Sequence, residues 1–459
     1  MSAATIASRS PQAPADVLVE APVADRDAVR SAAARAAEAG AGWAAAPATE
    51  RAGALLAAAA ALAEAADDLA ALVVREVGKT IGEARAEVGR GVWILRFHAE
   101  AALLPDGETH PRLPPAPPST MVASRRRPRG IAALITPWNF PVAIPLWKAA
   151  PALAYGNSVL LKPSSEAIAT ALRLGELLDP HLPAGELQVV PGGGETGQAM
   201  IEVADVVSFT GSNEVGRAVA EAAAARGVPA QCEMGGLNSS IVLPDADLEA
   251  VARVIAGSAM GYAGQKCTAT RRVIAVGDPA PLSDALVAAV EAMPTGDPAD
   301  EETEVGPVIA DAARRRVIGA ASDSGRVLTG GTALERDGFF VAPTVVDRLA
   351  ADAVLAREEV FGPIAAVIEA PSAERAAELD AAVPYGLVTS IFTRDLDAAL
   401  DLTGRLRSGL IRVNQPTTGV DFHAPFGGSG ASSYGPREQG LAAREHYTST
   451  HTLTISPSA

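Results

Sequence analysis

The 459 residues, 48% of them apolar, suffice for about three domain-sized units with large cores, and a formal net charge of −16 argues against a nucleic acid or other polyanion as partner. Two cysteines cannot build a disulfide framework, and residues 1–30 lack the apolar centre of a signal peptide, so a reducing cytoplasm is expected. The longest apolar stretch, 131–147, is broken by Pro137, Pro141 and Pro145 and fails as a membrane span.

From residue 25 to about 104 the alanine-rich sequence reads as helices, because leucines and charged residues recur regularly among strong helix formers. Thr80-Ile81-Gly82-Glu83 has the spacing of a capping box that starts the third helix. Trp93, Ile94 and Phe97 fall at helical spacing on it and are expected in the core. Proline density rises between 105 and 128, and Met121-Val122-Ala123-Ser124-Arg125 alternates before a run of arginines. This predicts an extended arm leaving the domain body, its arginines on a solvated or salt-bridging edge.

Between 131 and 233 short β runs alternate with helices, at 131–135, 158–161, 187–190, 206–209 and 230–233. That order predicts a parallel, Rossmann-like α/β sheet. Gly192-Gly193-Gly194-Glu195-Thr196-Gly197 satisfies G-x-G-x-x-G after a strand, a weak signal in a chain with 42 glycines. At the next junction, Phe209-Thr210-Gly211-Ser212, a helix N-terminus with free backbone N–H groups would suit a pyrophosphate. A second α/β region runs from 245 to about 414, with strands at 272–276, 387–392 and 410–413. The tail 447–455 alternates with period two and is expected to pair with the earlier arm or with another subunit.

Cys267 lies in this second region, in Gly264-Gln265-Lys266-Cys267-Thr268-Ala269-Thr270, between a glycine and small hydroxylated residues. The setting suits an exposed thiolate nucleophile. Cys232, in Val228-Pro229-Ala230-Gln231-Cys232-Glu233-Met234, is instead expected to pack inside a strand. Three segments complement a thiolate. Asn139, in Thr136-Pro137-Trp138-Asn139-Phe140-Pro141, follows a strand end and can donate to an oxyanion, or is a turn asparagine. Glu233 ends an apolar strand, where desolvation raises a carboxyl toward a general base's range, or it pairs with a lysine. Glu358-Glu359-Val360-Phe361-Gly362-Pro363 sets acid beside aromatic, suited to a ribose and a flat ring, or to a plain turn.

Taken in order, these segments resemble the aldehyde dehydrogenase superfamily over nearly the whole chain. The resemblance implies an α/β fold with a Rossmann-like cofactor domain (1–106 and 130–236), an α/β catalytic domain (237–430), and a small β oligomerisation arm with a C-terminal strand (107–129 and 431–459). It implies Cys267 as nucleophile, Asn139 with the Cys267 backbone N–H as oxyanion hole, Glu233 as the base that activates water on the thioester, and Lys148 as a proton relay. A nicotinamide cofactor would contact Ile135, Thr136, Trp138, Lys162, Ser164 and Ser165. It would also contact Gly192, Gly194, Phe209, Gly211 and Ser212, with Ser212 at the pyrophosphate. Gly235, Glu359 and Phe361 complete the set, Glu359 on the nicotinamide ribose. Phe140, Ile144, Trp147, Thr268, Phe422 and Phe426 would line the aldehyde entrance, with Lys266 or Arg96 meeting a distal carboxylate. No metal is implied.

Members that pass the acyl group to coenzyme A generally lack a glutamate where Glu233 stands, so the resemblance implies hydrolysis. Ser165 stands where strictly NAD-dependent members often carry a glutamate, which implies NADP or dual use. The run 415–428, continued by Ser432-Ser433-Tyr434-Gly435-Pro436-Arg437-Glu438, looks most like bacterial ketoglutarate semialdehyde dehydrogenases. Leu237, Ser239 and Ser429-Gly430-Ala431 depart from the usual pattern. The competing readings are a dehydrogenase for uncharged aromatic or aliphatic aldehydes, a thiol esterase, and a non-catalytic binding or structural relative. A homodimer or homotetramer through sheet extension is expected, with no nucleic acid or membrane as partner.

Overall fold

The computed structural model describes residues 4–350 and 352–456; residues 1–3, 351 and 457–459, which fall within the expected domain ranges or between them, lie outside the described residues. One sheet has six strands in the order Ser433–Tyr434, Ala230–Glu233, Val206–Thr210, Ile131–Ile135, Ser158–Lys162 and Leu187–Val189. All its pairings are parallel except that of Ser433–Tyr434, which runs antiparallel to Ala230–Glu233. Its central strands are buried along their length, as expected where helices cover both faces, which is why they read as unbroken apolar runs.

The second sheet has seven strands, ordered Arg326–Thr329, Thr344–Asp347, Ile364–Ala370, Thr270–Val276, Asn238–Val242, Val388–Phe392 and Leu410–Val413. A third, antiparallel sheet joins Thr448–Ile455 to Met121–Pro128 and that strand to Gly107–His110. The tail therefore pairs with the arm of its own chain. Ser433–Tyr434, although inside the stretch expected to go with the arm, edges the six-stranded sheet instead. Among the described residues no helix is long and apolar enough to cross a membrane.

Four helices, Arg26–Ala45, Ala48–Glu64, Ala66–Val77 and Ile81–Ala101, fill the N-terminal part, so Thr80 precedes the fourth and not the third. Its capping box does not close. Thr80 makes no side-chain bond to the helix backbone; its hydroxyl donates to Glu83 Oε2 at 3.4 Å, and the other Glu83 oxygen pairs with Lys266. Trp93 is 57% exposed, against expectation, while Ile94 is buried and Phe97 half-buried. The helix turns Val88, Gly91, Val92 and Leu95 inward, and Gly91 lets Leu146 approach its backbone, which leaves Trp93 outside under Arg96. An antiparallel hairpin of Thr5–Arg9 and Val17–Pro22, absent from the sequence reading, opens the described chain.

Candidate active site

The helix Leu248–Met260 ends in a tight turn, Gly261–Gly264, in which Tyr262, Ala263 and Gly264 all take left-handed backbone angles (φ 54°, 49° and 66°). At Gly264 a Cβ would collide with the Gly362 carbonyl, so this position needs glycine twice over, for its angle and for its neighbour. Arg271, buried just beyond, donates to the Gly362 carbonyl at 2.7 Å and to the Gly264 carbonyl. One guanidinium thus ties the loop before Cys267 to the loop that carries Glu359 and Phe361.

Cys267 is half-buried and lines a cavity of about 250 Å³. Burial pushes its thiol up to about 12, with the Glu359, Glu233 and Glu438 carboxylates adding to the rise and its own backbone N–H opposing it. Asn139 Nδ2 donates to the Gln265 carbonyl at 2.9 Å, two residues before the cysteine. Gln265 is itself fixed by the Ile309 N–H, which donates to its Oε1 at 2.7 Å. The second N–H of the Asn139 amide stays available beside the cysteine loop.

Glu233 ends its strand fully enclosed. Burial, then the nearby Glu438 carboxylate, pushes its carboxyl well up. Gln231 Nε2 donates to it at 2.9 Å and Ser433 Oγ at 2.5 Å. Lys148, also buried, donates to Ser208 Oγ at 2.8 Å and to the Gln231 side-chain oxygen at 3.4 Å, and pairs with Glu438 at 2.7 Å. The two carboxylates and the lysine form one hydrogen-bonded cluster through Gln231.

A separate cleft of about 900 Å³ opens along the C-terminal ends of the six-stranded sheet. Ile135, Thr136, Trp138, Lys162, Ser164 and Ser165 line it, as do Gly192, Gly194, Phe209, Gly211 and Ser212. Gly235, Glu359 and Phe361 stand just outside: Phe361 packs edge-on against Trp138 at 5.8 Å, and a Cβ at Gly235 would strike the Glu359 carboxylate. Burial raises the Glu359 carboxyl to about 7, and its Oε1 has no hydrogen-bond partner. A long, glycine-floored cleft ending at an unpartnered carboxylate oxygen fits a dinucleotide whose ribose hydroxyl completes that bond.

A family model described as the aldehyde dehydrogenase family matches residues 1–453. The chain belongs to the aldehyde dehydrogenase family. It is 38% identical over 404 residues to the alpha-ketoglutaric semialdehyde dehydrogenase of Bacillus subtilis, covering 85% of this chain and 82% of that protein. The alpha-ketoglutarate semialdehyde dehydrogenase of Haloferax volcanii is 37% identical over 429 residues, covering 90% and 87%. Among solved structures, an NAD-dependent aldehyde dehydrogenase from Sinorhizobium meliloti superposes with a TM-score of 0.94 at 31% identity, over 99% of this chain and 93% of that one. This is an NAD(P)-dependent aldehyde dehydrogenase with the aldehyde dehydrogenase fold.

Against that family frame, Phe140, Trp147, Lys266, Thr268 and Phe426 line the cavity of Cys267. Ile144 does not; it lies on the helix Ala143–Ala154 and is buried in the core. Phe422 packs edge-on against Phe97 at 6.0 Å and also stays out of the cavity. Arg96 is exposed over Trp93, and Lys266 is held by Glu83 at 2.6 Å, so neither basic residue expected at a distal carboxylate stands free. The charged residues missed are Lys79, Glu83, Glu87 and Arg90. Glu83, Glu87 and Arg90 recur at i, i+4 and i+7, one face of the helix Ile81–Ala101, and that spacing was the available signal. Lys79 pairs with Glu87, whose other oxygen accepts the Val142 and Ala143 N–H groups at 2.9 Å each. Arg90, half-buried, makes no hydrogen bond or ion pair within the chain among the described residues.

Proposed function

We propose that the protein oxidises a short semialdehyde bearing a carboxylate, such as ketoglutarate semialdehyde, to the acid by way of a thioester on Cys267. The observation that carries the substrate class is Arg90. A partly desolvated guanidinium that makes no hydrogen bond or ion pair among the described residues, attracted at longer range by Glu87 and Asp421, lies in the cavity that ends at the nucleophile and suits a carboxylate on the far end of a short aldehyde. The semialdehyde names of the two relatives point the same way.

In the proposed sequence the Cys267 sulfur bonds to the aldehyde carbon, and the Asn139 amide and Cys267 N–H hold the oxygen that takes the negative charge. A bound nicotinamide supplies the hydride acceptor. Water then attacks the thioester carbon, Glu233 takes its proton, and the carbon–sulfur bond breaks to return the thiolate and release the acid. Lys148 and Glu438, joined to Glu233 through the Gln231 amide, set the charge around that carboxyl as it takes the proton.

For the cofactor, Ser165 brings no charge of its own, which favours room for NADP. Its hydroxyl and that of Ser164 both donate to Glu166, however, so a carboxylate stands beside them. We therefore read the site as open to both dinucleotides. The three-stranded sheet of Thr448–Ile455 supports assembly of copies into a homodimer or homotetramer, which light scattering would size.

The experiment is the rise in reduced-cofactor absorbance with NAD and NADP across ketoglutarate semialdehyde, succinic semialdehyde, benzaldehyde and hexanal, with Cys267→Ala as control. Preference for the acid-bearing aldehydes, abolished in the variant, supports the proposal. Cysteine-dependent turnover that favours benzaldehyde or hexanal overturns the substrate class, and no turnover with any aldehyde overturns the chemistry.

A further inference from the structure

Leu410–Val413 is an edge strand of the seven-stranded sheet, and soon after it Thr418, Gly419 and Val420 wall the cavity of Cys267. Arg90 lines the same cavity from the helix Ile81–Ala101. The approach to the wall is pinned by hydroxyls: Ser390 Oγ donates to the Gln415 carbonyl at 2.7 Å, and the buried Thr417 shares a hydroxyl bond of 2.9 Å with Thr270. The wall itself hangs on one side chain. Arg412 reaches back from the edge strand to donate to the Thr418 carbonyl at 3.2 Å and to the Gly419 carbonyl, and it faces the Asp421 carboxylate at 3.9 Å. Gly419 takes the left-handed angle, φ 87°, that this turn requires. Asp421 makes no other side-chain ion pair or hydrogen bond among the described residues. It acts on two guanidiniums, because Arg90 is attracted by Glu87 and then by Asp421 and is repelled by Arg412.

We infer that Arg412 determines specificity for an acid-bearing aldehyde without touching it: by holding the wall and engaging Asp421 it keeps that carboxylate from Arg90, which is left to the carboxylate of the substrate. The inference rests on Arg90 being the residue that meets the substrate's acid group. A carboxylate of the chain and one of the substrate compete for the same guanidinium, and only one can make its paired hydrogen bonds. The chain's carboxylate is tethered beside the cavity at a high effective concentration, so it wins unless another cation engages it. Arg412 is that cation. Its pair with Asp421 is long and the aspartate is 68% exposed, so the pair adds little to stability; its consequence is which guanidinium stays open. Glu87, the other carboxylate that acts on Arg90, is already taken by Lys79 and by the Val142 and Ala143 N–H groups. Arg412 lines no part of the cavity and is a positioning residue.

Steady-state kinetics of the whole protein with saturating dinucleotide, on ketoglutarate semialdehyde and on hexanal, test the inference, with Arg90→Gln as the reference. In Arg412→Gln the KM for the semialdehyde is expected to rise by about tenfold, the lower end of what a hydrogen bond to a charged group contributes. Its kcat and the KM for hexanal should stay within about threefold of the unmodified protein. Asp421→Asn removes the competitor and should leave the semialdehyde KM unchanged or lower. Arg412→Gln and Asp421→Asn together should bring that KM back to within about threefold. A loss shared equally by the two aldehydes makes Arg412 a support of the wall alone and overturns the inference. A double variant as poor as Arg412→Gln, or a semialdehyde KM that rises in Asp421→Asn, overturns it as well. If Arg90→Gln raises the semialdehyde KM no more than the hexanal KM, the reading of Arg90 fails and this inference with it; if Arg90→Gln discriminates and Arg412→Gln does not, the role of Arg412 alone fails.

Discussion

Lys266 donates to Glu83 at 2.6 Å across the cavity of Cys267, so the basic residue nearest the nucleophile in sequence is already neutralised by the helix opposite. Arg90, two turns along that helix from Glu83, makes no such direct pair among the described residues and feels the Glu87 and Asp421 carboxylates only at longer range. Arg90→Gln is expected to raise KM for ketoglutarate semialdehyde by about 10- to 100-fold, the worth of a hydrogen bond to a charged group, with kcat little changed. Hexanal oxidation should change less than about threefold. Lys266→Gln should have the smaller effect on both. Steady-state kinetics on the two aldehydes check the prediction, and an equal loss on both would place Arg90 outside substrate recognition.

Burial, then the Glu359, Glu233 and Glu438 carboxylates, push the Cys267 thiol up to about 12. Its alkylation by iodoacetamide should therefore be slow at neutral pH and climb about tenfold per pH unit well past 9, with no plateau at an ordinary thiol's value. Mass spectrometry can follow the site separately from Cys232, which is fully buried and also pushed up to about 12. A plateau below pH 8 would contradict the enclosed, acid-flanked setting.

Glu166 meets the hydroxyls of both Ser164 and Ser165 at the end of the dinucleotide cleft. Glu166→Gln removes a negative charge that opposes a 2′-phosphate and leaves the serines in place. The ratio of kcat/KM for NADP to that for NAD should rise by about tenfold, the effect of one nearby like charge in a partly exposed site. A ratio that does not move would take Glu166 away from the adenosine end.

His98 and His446 are buried and titrate near 3 in the fold, against about 6.5 in an unfolded chain. Both values are depressed in the folded state, so the unfolded chain binds more protons as pH falls through 6.5, and stability is lost in that direction. Between about pH 8 and pH 5 each histidine should cost about 2 kcal/mol. The raised Glu233 and Glu359 carboxyls act in the opposite sense, so the difference between proteins is the clean readout. Urea unfolding of His98→Gln should show a shallower loss of stability over that range than the unmodified protein; parallel slopes would refute the assignment.

Five strands of the six-stranded sheet were legible, because buried parallel strands are short apolar runs and their intervening helices carry a different period; their order in the sheet was not. The cysteine, asparagine and glutamate stood out because polar groups in those settings are uncommon. The rest was hidden for physical reasons. The hairpin of Thr5–Arg9 and Val17–Pro22 is half-buried or exposed along most of its length, with only Ser8 and Ala21 fully inside, so no apolar alternation marks it. Trp93 looked like core because hydrophobicity alone cannot tell which face of a helix meets a neighbour; the glycine at 91 made that choice. Arg90 and Ser433 are ordinary residues locally. Each acquires meaning only from a partner, or a missing partner, supplied by tertiary contacts.

The hydroxyl that seats Glu233 and the carboxylate that pairs with Lys148 both come from residues 433–438, far beyond Cys267 and Asn139 in the order of synthesis. A ribosome therefore releases the nucleophile and the Rossmann-like strands well before the segment that closes the site. Ser433–Tyr434 is the last strand of that sheet in chain order. Translation that halts before it leaves Glu233 without the Ser433 hydroxyl and Lys148 without the Glu438 carboxylate.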